Sequence, residues 1–112
     1  PPPPMSTAIP VAEAASLPPG SHRTVECNGR RIALFNLEGS FHAIDDACPH
    51  RGASLAEGWC EGGQVLCPLH GWAFDVRSGQ CLTRPDRPVA SYQAEVRDGR
   101  VWVVLPPQAA TE

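Results

Sequence analysis

Four Xaa-Gly pairs cut the chain into short apolar runs, and they constrain the fold more than any other feature. Asn28-Gly29 separates residues 22–27 from 31–37. Glu38-Gly39 separates that run from 40–45. Ser78-Gly79 lies between 73–76 and 80–82, and Asp98-Gly99 between 89–97 and 100–105. Asn-Gly and Asp-Gly are the strongest hairpin signals, because a type I′ turn needs positive φ at both central residues. The flanking runs are rich in Val, Ile, Phe, Tyr and Trp at roughly alternating positions. In the last of them, Val101, Val103 and Leu105 share one face of a strand and Trp102 and Val104 the other. Short strands joined by tight turns predict an all-β antiparallel sandwich or barrel. Residues 11–16 are the only helical candidate, one or two turns at most.

A chain of 112 residues suits one domain, expected over residues 5–106. The Pro tetrad 1–4 ahead of Met5 and the Pro/Ala-rich residues 107–112 are expected to be flexible ends. The formal net charge of −3 argues against a nucleic-acid partner. The longest apolar run, residues 101–105, is far short of the roughly 20 residues a membrane span needs, and no secretion signal is visible. A cytoplasmic protein with no membrane partner is expected. In that setting five cysteines are reduced thiols or metal ligands rather than disulfides.

Residues 47–72 break the strand pattern, and a long irregular segment inside a small domain is usually functional. They hold Cys48-Pro49-His50-Arg51-Gly52 and Cys67-Pro68-Leu69-His70-Gly71-Trp72. The chain thus carries C-x-H, sixteen intervening residues, then C-x-x-H. Each loop offers one thiolate and one imidazole. The glycine beyond each His lets the backbone bend and can turn N–H groups toward a negative sulfur. Three chemistries fit: ordinary buried Cys with loop His, a structural zinc site, or a [2Fe–2S] cluster with two Cys on one iron and two His on the other. Two loops so alike argue against the first. Zinc accepts two Cys and two His, but usually from loops that are not each mixed. A zinc-stabilised binding module without redox function remains the alternative to the third, which mixed loops supply directly.

At these two loops the chain resembles the Rieske iron–sulfur family. The resemblance extends through the strands from about residue 25 to 105. It implies the Rieske fold, an antiparallel β-domain carrying a small cluster-binding subdomain. It also implies one [2Fe–2S] cluster, with Cys48 and Cys67 on the inner iron and His50 and His70 on the outer. Rieske proteins of respiratory cytochrome bc complexes carry a further Cys in each loop, forming a disulfide. Ala53 and Leu69 stand at those positions here, so that bridge cannot form. The same relatives place Ser and Tyr after the second loop as donors to the cluster sulfurs, where this chain has Trp72 and Phe74. The chain is similar instead to the ferredoxins of oxygenase systems and to the small subunits of NAD(P)H-dependent nitrite reductases. One-electron transfer follows, without a catalytic site of its own. The partners implied are a flavin reductase and a terminal oxygenase, or a nitrite reductase large subunit.

Two neutral imidazoles leave the oxidised cluster uncharged, whereas four thiolates would leave it doubly negative. Its potential therefore lies at about −150 to +300 mV rather than near −400 mV. Without the hydroxyl donors, the low end is expected. Outside the motif, Cys27, Cys60 and Cys81 read as buried packing residues. Trp59 and Trp72 read as covers over the cluster, and His22 and His42 as surface residues without a metal role. Residues 84–88, Arg84-Pro85-Asp86-Arg87-Pro88, read as a Pro loop folding over the cluster, and Arg51 as an exposed charge beside a ligand.

Overall fold

The computed structural model describes residues 7–27, 29–48, 53–68 and 71–105. The expected flexible ends, Asn28, Arg51 and the two loop histidines lie outside them. Six strands, β1 (Thr7–Glu13), β2 (His22–Cys27), β3 (Arg30–Leu37), β4 (Ser40–Asp45), β8 (Ser91–Arg97) and β9 (Arg100–Leu105), form one antiparallel sheet in the order β1-β9-β8-β4-β3-β2. Its two end strands pack against each other, so the sheet nearly closes into a barrel. Between β4 and β8 the chain builds a second, three-stranded sheet of β5 (Trp59–Glu61), β6 (Gln64–Leu66) and β7 (Ala73–Asp75). The all-β, two-part architecture matches the expectation. Among the described residues, no helix is long and apolar enough to cross a membrane.

The turns obey the residues that make them. Glu38 and Gly39 take φ of 53° and 98°, and Asp98 and Gly99 take 54° and 77°. Those are the left-handed values of a type I′ turn, and each pair joins neighbours in register: Leu37 opposite Ser40, Arg97 opposite Arg100. Gly62-Gly63, at 63° and 83°, makes a further such turn between β5 and β6 that the sequence reading passed over. Ser78-Gly79 departs from a hairpin. Gly79 N–H closes a wider turn on the Asp75 carbonyl at 2.7 Å, and beyond it only a single bridge pairs Phe74 with Cys81. The helical candidate at 11–16 is also corrected. β1 runs to Glu13, where Ala12 and Glu13 pair with Val101 and Arg100, and only Ala14–Ser16 form a 3₁₀ turn. Pairing with β9 satisfies the backbone groups that a short helix would have left half-bonded.

β3 is the pivot. Five successive residues, Ile32 to Asn36, are buried on both faces of the strand, which explains the unbroken apolar run Ile32-Ala33-Leu34-Phe35. Ile32 and Leu34 face the barrel interior with Val25, Ala43, Val101 and Val103. Ala33 and Phe35 face a second core, with Ile44, Leu55, Val65, Phe74, Cys48 and Cys67. Alternation along one strand thus feeds both parts of the molecule. Val101, Val103 and Leu105 are buried as the pattern required.

Truncation on either face should be severe. Leu34→Ala should cost about 2–5 kcal/mol and Phe35→Ala about 3–5 kcal/mol of unfolding free energy, read from denaturant unfolding. A loss below about 1 kcal/mol for either would contradict burial on both faces.

Candidate metal centre

The two loops are built alike. Cys48 N–H donates to the Ala53 carbonyl at 2.9 Å, and Cys67 N–H donates to the Trp72 carbonyl at 2.8 Å. Each bond joins a cysteine to the fifth residue beyond it, so both loops have the same span despite their different His positions. Both cysteines are buried in the second core, between the barrel and the small sheet. The structure therefore places both thiols of the predicted ligand set in one core. His50 and His70 lie outside the described residues. Gly71 has the expected positive φ of 72°, but its N–H donates to the Cys67 carbonyl at 2.9 Å rather than to a sulfur.

The residue that holds the first loop in place, Asp46, carried no role in the sequence reading. Its carboxylate is fully buried. One oxygen accepts from Ser54 Oγ and from the Ala56 N–H, each at 2.9 Å, and the other pairs with Arg31 at 3.0 Å. Its main chain is pinned as well, by Asp46 N–H to the Arg31 carbonyl and Leu55 N–H to the Asp46 carbonyl. Asp46 thereby ties β3, the exit of the first loop and the 3₁₀ turn Leu55–Glu57 into one unit, two residues before Cys48. The signal in the sequence was an acidic pair, Asp45-Asp46, directly after the apolar Ala43-Ile44 at the end of β4. Ala56 is held from its other side too. His22 donates Nδ1–H to its carbonyl at 2.6 Å, so His22 is a half-buried bracing residue rather than a surface one. Gly58 then passes so close to β6 that a Cβ there would collide with the Leu66 carbonyl oxygen. That approach locks the segment after the first loop against the strand that leads into the second.

The remaining cysteines sit in different surroundings. Cys27 is buried in the barrel core, and Cys81 in the second core, where its Sγ accepts the Arg84 N–H at 3.2 Å. Cys60 is only half-buried, against the expectation of full burial, because β5 is the outer strand of the small sheet. Burial pushes the Cys27 and Cys60 thiols up from their ordinary range, which disfavours the thiolate a metal needs. None of the five cysteines, all of them described, is in a disulfide. His42 is half-buried; burial foremost, then Arg77, hold its imidazole below its ordinary value, with Asp75 opposing.

Of the two predicted covers, Trp72 is half-buried against the second core. Trp59 is 74% exposed on the outer face of the small sheet, against the expectation of a buried cover. The Pro loop 84–88 is exposed, and its Arg84 guanidinium lies 5.5 Å from the Trp72 ring, beside the second loop. A surface hollow of about 560 Å³ opens elsewhere, at the Gly62-Gly63 end of the small sheet between Asn36, Cys60 and Arg77. None of the residues lining it belongs to either loop.

Comparison with known proteins bears on this geometry. The Rieske [2Fe-2S] domain model matches residues 7–93, most of the chain. The 3-phenylpropionate/cinnamic acid dioxygenase ferredoxin subunit of Photorhabdus laumondii is 39% identical over 97 residues, covering 85% of this chain and 91% of that one. A chain in the solved complex of reduced oxygenase and oxidised ferredoxin of carbazole 1,9a-dioxygenase superposes with a TM-score of 0.81 at 33% identity, covering 91% of this chain and 96% of that one. A Mycobacterium tuberculosis protein assigned as the small subunit of an NADH-dependent nitrite reductase superposes with a TM-score of 0.83 at 31% identity, covering 91% and 97%. The chain belongs to the Rieske [2Fe–2S] family, whose domain carries one such cluster. The residues present fit it: two buried thiols at the base of two loops of equal span.

Asp46→Ala should leave the Ala56 N–H and Ser54 hydroxyl without their acceptor and lower stability by about 2–3 kcal/mol. It should also speed cluster loss under a chelator, followed by visible absorbance. Wild-type stability and an unchanged bleaching rate would show that Asp46 does not brace the loop.

Proposed function

We propose that Cys48, His50, Cys67 and His70 hold a [2Fe–2S] cluster, thiolates on one iron and imidazoles on the other, and that the chain is the ferredoxin component of an oxygenase system. It would carry electrons singly from a flavin reductase to a terminal oxygenase. The observation that carries this reading is the pair of matched loops, each closed by its cysteine N–H on the fifth residue beyond. When bound, the cluster takes up and returns one electron. The chain's own residues do the rest. The second core keeps both thiols from water, and Asp46 and Gly58 fix the two loops relative to each other. Coverage of 91% and 96% of two ferredoxin relatives by a single small domain supports a carrier role, with substrate chemistry on another polypeptide.

A second reading, the small subunit of a nitrite reductase, is favoured by the fold match to the Mycobacterium tuberculosis protein. Reoxidation of the reduced protein separates the two. An oxygenase component should reoxidise it on mixing and a nitrite reductase large subunit should not; the reverse would establish the second.

Two predictions follow from the site. Cys67→Ser should abolish or badly damage the visible chromophore, with iron and labile sulfide falling from two of each per chain. Cys27→Ser should leave both intact. Bleaching by the second variant and not the first would overturn the ligand set. Protein-film voltammetry should place the midpoint at the low end of the Rieske range, about −150 mV. Phe74, fully buried in the core that holds the thiols, and Trp72 offer no hydroxyl where high-potential relatives have one. A midpoint above about +100 mV would contradict this.

A further inference from the structure

The outer face of the small sheet is divided into two rows by its register. Trp59 is opposite Leu66 and Leu66 opposite Ala73, while Leu82 N–H donates to the Ala73 carbonyl at 2.7 Å. Trp59, Leu66, Ala73 and Leu82 therefore line up across four adjacent segments. The next outward row is polar: Glu61 opposite Gln64, Gln64 opposite Asp75, with Asp75 bonded to the Gln80 carbonyl. The row between them, Cys60, Val65, Phe74 and Cys81, faces the second core. Four large apolar side chains are exposed among the described residues, and three of them, Trp59 at 74%, Leu82 at 44% and Leu66 at 38%, stand in the first row. Among the described residues nothing buries them.

That row lies at the loop end of the sheet. Leu66 immediately precedes Cys67 and Ala73 immediately follows Trp72, so the second ligand loop rises directly from it. Its two ends differ in charge. Exposed Glu57 and Glu61 flank Trp59, whereas exposed Arg84, stacked near Trp72, is two residues from Leu82. The row spans three strand spacings, about 14 Å. A patch of that size suits a transient electron-transfer contact, below about 1,200 Å² in total, rather than a permanent homodimer.

Resting on the ferredoxin reading above, we propose that the row Trp59–Leu66–Ala73–Leu82 is the docking surface for the electron-accepting oxygenase component. The partner presents an apolar patch with basic residues toward Glu57 and Glu61 and acidic residues toward Arg84. Apolar contact holds the complex, the opposed charges set its orientation, and the second loop is brought against the partner.

Stopped-flow mixing of the reduced protein with the oxygenase of carbazole 1,9a-dioxygenase tests the proposal. In each turnover one electron leaves this protein and reduces the oxygenase by one. Trp59→Ser and Leu82→Ser should each lower the second-order rate constant by about tenfold. The limiting rate at saturating oxygenase, and the rate with ferricyanide, should stay at wild-type values. Val96→Ser, which removes an exposed apolar side chain on the barrel, should change neither. Glu57→Lys should slow association at low ionic strength, with the deficit vanishing at high salt. Wild-type second-order rates in both Ser variants would overturn the assignment while leaving the ferredoxin reading intact. So would a wild-type dimer that Trp59→Ser dissolves, since a second copy would then own the surface. Failure of the wild-type protein to reduce the oxygenase at all, with ferricyanide still reacting, would overturn the ferredoxin reading and this proposal with it.

Discussion

Two main-chain hydrogen bonds set the geometry on which the rest depends. Cys48 and Cys67 each donate the N–H to a carbonyl five residues on, so each loop is closed at its thiol-bearing residue. A thiolate ligand needs a fixed Cα, and a backbone bond at that residue supplies it without spending the side chain. The Asp46 carboxylate and the close approach of Gly58 to Leu66 extend the same control to the segment between the loops. All of these contacts are made within the second core or along its edge, so the metal centre belongs to the packing of the domain.

The pivot strand explains why so small a chain supports two cores. β3 buries one alternation of its side chains in the barrel and the other under the small sheet. The three-stranded sheet has strands of only three residues and would not stand alone. It is held by Phe35 and Ile44 from below and by Asp46 at its connection. The outer face of that sheet is left to solvent, and its register sorts apolar from polar residues into separate rows beside and away from the loops.

Much of this was legible in the sequence, for local reasons. Glu38-Gly39 and Asp98-Gly99 dictate their own turns, and the hairpins follow without tertiary information. The two motif loops were legible because their Cys and His types and spacing are written in consecutive residues. What escaped depends on distant partners. Asp46 is understood only through Arg31, Ser54 and Ala56. Trp59 looked like a cover because it is aromatic and near a loop. A three-residue strand is too short for alternation to show which way it faces, and only pairing with Leu66 decides it. Residues 11–16 looked helical because nothing local reveals that β9 pairs with Ala12 and Glu13.

The central claim is asymmetric ligation: one iron on two thiolates, the other on two imidazoles. Mössbauer spectroscopy of the oxidised protein grown on iron-57 tests it most directly, because it reads each iron separately. Two doublets of equal area, with distinct isomer shifts, are the predicted result. A single doublet from two equivalent irons, or a protein that binds zinc in place of iron, would contradict the account.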